Sequence, residues 1–179
     1  RCFFSEKLVI TVRKYKIFSI VNLKEALLRE KGPFDCGEFL LEYSKFAIDN
    51  LANELKKLEL QIESLEDMIV EAGIKPSLSS VMDTRRSILH YLRHLEPQCE
   101  VYKSIQTSQV TWLNATTRLH LQEYHHNLCR IVGDLQSWKD RARLAHEEIS
   151  SLTNNKINQK LYILAILTAI FLPLSFLTG

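Results

Sequence analysis

Between residues 121 and 152 the apolar positions Leu121, Tyr124, Leu128, Ile131, Leu135, Trp138, Ala142, Ala145, Ile149 and Leu152 step by three and four without a slip. That is the heptad spacing of a helix with one buried stripe. From residue 111 to residue 178 the only helix-breaking residues are Gly133 and Pro173. The pattern predicts one helix from about residue 111 onward. At about 1.5 Å per residue it is ~100 Å long, far more than a chain of 179 residues can cover with its own core. The rest of the chain therefore has to pack on part of this helix and leave part of it bare.

Upstream, a second stripe at Leu51, Leu55, Leu58, Ile62, Leu65 and Ile69 has the same spacing. Asp35 with Glu38 makes a near capping box at its start, and Gly73 is its stop signal, which predicts a helix over 36–72. A third helix over 77–95 is expected to be closed by Pro97, with a short helical piece near 98–108. The second and third form an antiparallel pair joined at "GIKPS". Before them, Leu8, Ile10 and Val12 alternate with Val9, Thr11 and Arg13, the period of a half-buried strand, and "YKIFSI" reads as its hairpin partner. "NLKEALLREKG" reads as a short helix with Asn22 as cap and Gly32 as stop. Two or three strands make a poor sheet alone, and the chain does not begin with Met, so further strands are expected to precede residue 1. The expected class is α+β, mostly helical.

The last helix changes character at its end. Residues 161–178 carry no charge, a little short of the roughly 20 residues that span a bilayer. Lys156 and Lys160 stand just before this run, with Lys139, Arg141 and Arg143 further back. Positive charge at a membrane entry marks the cytoplasmic side. The face opposite the stripe at Ala142, Ala145, Ile149 and Leu152 carries Glu147, Ser151, Asn154 and Asn158. Continued at the same spacing it passes Leu161, Leu164 or Ala165, Thr168, Leu172 and Ser175. In a ring of such helices this face lines an axial pore. The alternative is that its hydroxyls satisfy their own backbone or a neighbour.

Other chemistries find little purchase. A formal net charge of +2 is too small to argue for nucleic acid. Cys2, Cys36, Cys99 and Cys129 are far apart in sequence, so neither a disulfide framework nor a zinc knuckle is signalled. His90 and His94 are four apart on a helix, a spacing able to chelate, and His125, His126 and Cys129 form a second cluster with Glu123 nearby. The plainer reading of both is solvated or interface histidines. There is no H-E-x-x-H, no Ser-His-Asp ordering and no Gly-rich phosphate loop, so nothing argues for an enzyme.

The segment "NKINQKLYILAILTAIFLPLSFLTG" resembles the first transmembrane helix of the CorA-type metal ion transporters. The shared pattern is an Asn in a Lys/Asn-rich stretch, then Leu-Thr, then Phe-x-Pro-Leu-[ST]-Phe and a Gly. "FFSEKLVITVRKYKIFSIVNLKEALLREKGPFDCGEFL" resembles the ZntB-like, zinc-associated branch, with a strand, a basic segment, a short helix and Gly-Pro-x-x-x-Gly-Glu in that order. The resemblance implies a homopentameric channel-like transporter in the bacterial inner membrane. Residues 1–110 would be the later part of a cytoplasmic αβα domain with its helical hairpin, 111–160 a stalk helix, and 161–179 the start of the first transmembrane helix. Residues 1–160 would lie on the cytoplasmic side.

Carried over position by position, Asn158 sits at the cytoplasmic mouth, Leu161 and Leu164 form an apolar constriction, and Thr168, Leu172 and Ser175 continue the lining. Glu147 falls where magnesium-transporting members place an acidic regulatory ligand, with Glu here in place of Asp. The implied cargo is a divalent cation, zinc or magnesium with zinc favoured, and no tightly bound cofactor is implied. The implied partners are other copies of the chain, membrane lipid and the divalent ion, without nucleic acid. The competing expectation is a membrane-anchored coiled-coil scaffold that conducts nothing.

Overall fold

The computed structural model describes residues 2–178 other than 13, 15–17 and 71–76. Two strands, β1 (Cys2–Phe4) and β2 (Val9–Thr11), precede four helices: α1 (Phe18–Leu28), α2 (Cys36–Val70), α3 (Leu78–Thr107) and α4 (Ala115–Thr178). The strands pair antiparallel, with Phe3 opposite Ile10. The turn between them is closed by the Ser5 N–H donating to the Leu8 carbonyl at 2.9 Å. Val9 and Thr11 face the helices, while Phe3, Leu8, Ile10 and Val12 lie on the uncovered side. β1 reaches the helices through Phe4, whose ring stacks on Trp112 at 6.0 Å and tilts against Phe39 at 6.2 Å.

The strand partner is thus β1 and not "YKIFSI". Residues 15–17 lie outside those described, and Phe18, Ser19 and Ile20 open α1. The helical spacing wins because Ser19 and Leu23, four apart, are both buried. Asn22 consequently lies inside α1 and caps nothing. The helix ends in a Schellman motif, with the Lys31 N–H donating to the Ala26 carbonyl and Glu30 N–H to Leu27. Glu30 takes the left-handed position at φ 56° that glycine usually fills. Gly32 is needed two residues later, since a Cβ there would stand 2.7 Å from Leu27 Cδ2.

α2 starts as its capping residues dictate. Asp35 Oδ1 accepts from the Glu38 N–H at 2.7 Å, and Glu38 Oε2 accepts from the Phe34 N–H at 2.8 Å. The joint at Gly73 lies outside the described residues. α3 is capped by Ser77, whose Oγ accepts from the Ser80 N–H. It runs straight through Pro97 to Thr107 as one helix, against the expected break. Proline removes one N–H and crowds the preceding turn, at a cost of ~3 kcal/mol. Here Pro97 is on the solvent face, so water can reach the carbonyl it orphans. Leu92, Leu95, Cys99 and Tyr102 stay buried on the other side, and that burial carries the helix through.

α4 begins at Ala115, with Asn114 Oδ1 accepting from the Thr117 N–H at 2.7 Å. α3 and α4 run antiparallel: Gln106 Nε2 donates to the Leu121 carbonyl at 3.1 Å, and Gln136 Nε2 to Glu96 Oε1 at 3.1 Å. α2 packs on the same helix, and the three meet last where Leu65, Ile69 and Val81 surround Ala145 and Ile149. Leu121, Leu128 and Leu135 of α4 are at most 1 % exposed; each such burial is worth about 1.5–3 kcal/mol. The heptad stripe is therefore the seam of a three-helix bundle. Every described side chain of α4 beyond residue 150 is exposed. Some 40 Å of helix, at about 1.5 Å per residue, projects past the bundle. Among the described residues no helix is long and apolar enough to cross a membrane.

The reversal from α3 into α4 is held by Arg118. Its Nη1 donates to the carbonyls of Gln106 at 3.0 Å and Ser108 at 2.7 Å, and Nη2 to that of Val110 at 2.9 Å. These are carbonyls at and just past the end of α3, where helical partners run out. Arg118→Ala is expected to cost about 2–3 kcal/mol, the scale of hydrogen bonds to a charged group, in urea unfolding followed by helical circular dichroism. Arg118→Lys should recover only part, since an ammonium lacks the planar fork. Gly133 sits inside α4 with nothing within 4 Å of where its Cβ would be. Gly133→Ala should raise the unfolding free energy by about 0.5–1 kcal/mol in the same measurement.

Candidate functional site: the bare stripe of the longest helix

With the inner stripe of α4 committed to α2 and α3, the face two residues away is turned by ~200° and points outward. It carries Glu147, Ser151, Asn154 and Asn158, all exposed. The Glu147 carboxylate is taken by Arg143, Nη1 to Oε1 at 2.9 Å, one turn earlier on the same helix. Further along, Leu161, Leu164 and Leu172 are more than half exposed. The Thr168 hydroxyl donates to the Leu164 carbonyl at 2.8 Å, the backbone-satisfying arrangement foreseen as the alternative to a pore. That bond uses the proton and leaves lone pairs on the oxygen able to accept. Asn158, Leu161, Leu164, Thr168, Leu172 and Ser175 all lie on one continuous helix. A single chain brings them into a line and not around a cavity.

The histidines form two separate places. His90 and His94 stand edge to face with ring centroids 4.8 Å apart on the outer side of α3, both exposed. His125 Nε2 is 3.3 Å from Cys129 Sγ, and its ring is 6.1 Å from that of His126. Glu123 pairs with His120 at 3.9 Å instead. Among the described residues no group of three or more His, Cys, Asp or Glu side chains is placed to hold a metal ion.

Two arrangements needed the register of the bundle to be seen. The antiparallel pairing that puts Gln106 at Leu121 and Glu96 at Gln136 sets Cys99 of α3 opposite the turn of α4 that holds Cys129. Burial, and then the neighbouring Cys129, pushes the Cys99 thiol up to about 12. The other is an ion pair between α2 and α4. Arg141 Nε donates to Glu66 Oε1 at 2.7 Å, and Nη2 to Oε2. The planar fork meets the carboxylate with two parallel bonds. Arg141 holds the Glu66 carboxyl below the usual carboxylate range, chiefly through that hydrogen bonding.

A depressed carboxylate stabilises the fold above its unfolded pKa, about 4.3 for Glu, and the contribution fades as pH falls through the lowered native value. Both side chains are about one-third exposed, so solvent screens the pair. Glu66→Gln is expected to cost about 0.5–1 kcal/mol at pH 7. It should cost nothing once the pH is below the native pKa of Glu66. Urea unfolding of both proteins from pH 7 down to pH 2.5 reads the difference.

A family model described as CorA-like Mg2+ transporter protein matches residues 1–179. A zinc transport protein ZntB of Yersinia enterocolitica is 30% identical over all 179 residues, and the ZntB of Pectobacterium atrosepticum 29%. The chain spans about half the length of these curated relatives, 54% of each. Among solved structures, the full-length CmaX protein superposes with a TM-score of 0.87 at 25% identity, over 99% of this chain and 55% of that one. The CorA magnesium transporter of Methanocaldococcus jannaschii superposes at 0.79 over 95% of this chain and 55% of that one. At 19% identity that likeness speaks for the fold.

Proposed function

The chain belongs to the CorA-like Mg2+ transporter family, and from that membership we propose that it supplies the stalk and the start of the pore of a homopentameric divalent-cation transporter in the bacterial plasma membrane. The observation that carries the reading is the division of α4. Its inner stripe is buried against α2 and α3 as far as Ile149, and beyond that both faces are bare. A helix that is apolar on most sides needs cover from lipid or from neighbours. Five copies around an axis provide it and turn the stripe of Asn158, Leu161, Leu164, Thr168, Leu172 and Ser175 inward. Residues 161–178 then enter the membrane, and residues 1–160 stay on the cytoplasmic side. Lys156 and Lys160 carry the charge argument for that orientation. Arg141 and Arg143 do so less, because Glu66 and Glu147 already neutralise them.

The cation passes hydrated. Divalent ions of this class give up water reluctantly, and amide and hydroxyl oxygens hydrogen-bond the hydration shell without stripping it. Rings of Leu161 and Leu164 close the cytoplasmic end by excluding liquid water. Zinc is favoured over magnesium on the likeness to proteins named as zinc transporters, not on the lining, which offers zinc no nitrogen or sulfur ligands of its preferred kind. Glu147 keeps an acidic group beside the stripe, and a regulatory cation there has to displace Arg143. Among the described residues neither the exposed pair His90–His94 nor the pair of half-buried His125 and exposed His126 gathers a third ligand to hold a metal ion.

The test uses the full-length protein in detergent and in vesicles. Light scattering should give five chains per particle; a stable dimer sinks the assembly. Leu164→Asn places hydrogen-bonding groups in the constriction and should raise initial divalent uptake per folded pentamer while weakening selectivity. Leu167→Asn, off the stripe, should instead lower the yield of folded protein. If Leu164→Asn changes neither uptake nor selectivity while Leu167→Asn opens the channel, the pore face is misassigned. A folded wild type without any divalent uptake leaves the scaffold.

A further inference from the structure

We propose that Cys99 and Cys129 are a redox-active thiol pair, converted by a hydroperoxide to a disulfide that ties α3 to α4 beside the bundle core. Three placements point to it. Cys99 is buried in the core cluster of the three helices, next in line after Leu92 and Leu95 on α3. Cys129 is exposed on α4, immediately after the fully buried Leu128. The antiparallel register brings the two to the same level of the α3–α4 seam, and Cys129 is the neighbour that, after burial, raises the Cys99 thiol. The third group is His125, one turn before Cys129, with Nε2 at 3.3 Å from its sulfur. Cys2 and Cys36 have no such setting: the Cys36 thiol is buried and donates to the Glu6 carbonyl at 3.6 Å.

Exposure assigns the roles. Water and peroxide reach Cys129, and charge that develops on its sulfur is solvated there. The buried Cys99 thiol keeps its proton and waits. In the first step His125 Nε2 accepts the Cys129 thiol proton while the sulfur attacks one peroxide oxygen. The O–O bond breaks, and the departing oxygen leaves as water once that proton is returned. Cys129 is now a sulfenic acid. In the second step the Cys99 sulfur attacks the Cys129 sulfur, the S–O bond breaks, and hydroxide leaves with the Cys99 proton as water. Two thiols and one hydrogen peroxide give one disulfide and two waters. The oxidised form clamps the upper half of the α3–α4 seam, leaving the projecting part of α4 untouched.

The reduced full-length protein is treated with a few equivalents of hydrogen peroxide, alkylated, and read by peptide mass spectrometry without reduction. The expected product joins the Cys99 and Cys129 peptides within one chain and reverts with dithiothreitol, while Cys2 and Cys36 remain alkylated. Cys99→Ser should leave Cys129 as a sulfenic acid trapped by dimedone. Cys129→Ser should leave Cys99 unoxidised at the same dose. His125→Gln, with helicity unchanged, should slow cross-linking by at least about tenfold, on the scale of a positioned general base. Sulfinic acid at Cys129 without a link to Cys99, or a Cys129–Cys129 link between chains, overturns the pair. Neither result bears on whether the protein conducts a cation.

Discussion

The bundle depends on where α3 stops and how α4 starts. The guanidinium of Arg118 gathers carbonyls that the last turn of α3 and the loop after it leave without helical partners. Because Arg118 stands in the first turn of α4, satisfying those carbonyls also fixes where that helix begins. Everything downstream inherits the register. Gln106 reaches Leu121, Cys99 comes level with Cys129, Gln136 meets Glu96, and Val81 closes over Ala145 and Ile149. A slip of one residue would rotate α4 by ~100° and take Leu121, Leu128 and Leu135 out of the core together. The close approach of the first turns of α2 and α4 tightens the same end: a Cβ on Gly37 would stand 3.3 Å from the buried Thr117 hydroxyl.

Past Ile149 the logic changes. In the bundle, α4 alternates a buried stripe with charged faces, as a helix half in water should. Between 161 and 164 four successive residues, Leu161, Tyr162, Ile163 and Leu164, are each more than half exposed. Four successive positions go all the way round a helix. No stripe-against-partner arrangement within one chain covers them, and contiguous apolar surface of this extent marks an interaction site. In the proposed pentamer, lipid and neighbouring copies cover them and let Thr168 and Asn158 stay in register on one side.

The parts of this fold that repeat were legible in the sequence. Heptad stripes at Leu55, Leu58, Ile62 and Leu65, and at Leu121 through Ile149, read directly onto the bundle because burial follows period. Capping at Asp35 was legible for the same local reason. What failed was punctuation. Pro97 signals a stop in the sequence, but four buried residues around it outweigh one lost hydrogen bond on a wet face. Glu30 does the work expected of a glycine, and "FSI" follows the burial of Ser19 and Leu23 into a helix although its residues favour a strand. Arg118, Glu66 with Arg141, and Cys99 with Cys129 carry no sequence signal. Each partner pair is separated by a helix reversal, and only the register decides which residues meet. The bare stripe was legible as a pattern, while its meaning as a pore depends on copies that a single chain does not contain.

Thr168 shows how the two readings of that stripe meet. Its proton is committed to the Leu164 carbonyl, so its oxygen can now only accept. Water around a cation points its oxygens inward and its hydrogens outward, and water around an anion does the reverse. In the pentameric reading, a ring of hydroxyls held in this way presents acceptors to the outer hydrogens of a hydrated cation. It presents nothing to the outer oxygens of a hydrated anion. The same backbone bond that makes a hydroxyl tolerable in an apolar helix therefore gives the ring its sign. It does so without a carboxylate, whose burial in the apolar part of the helix would cost several kcal/mol. A cation pore can be built on this helix with no charge after Lys160 because orientation of a neutral oxygen supplies what a charge would.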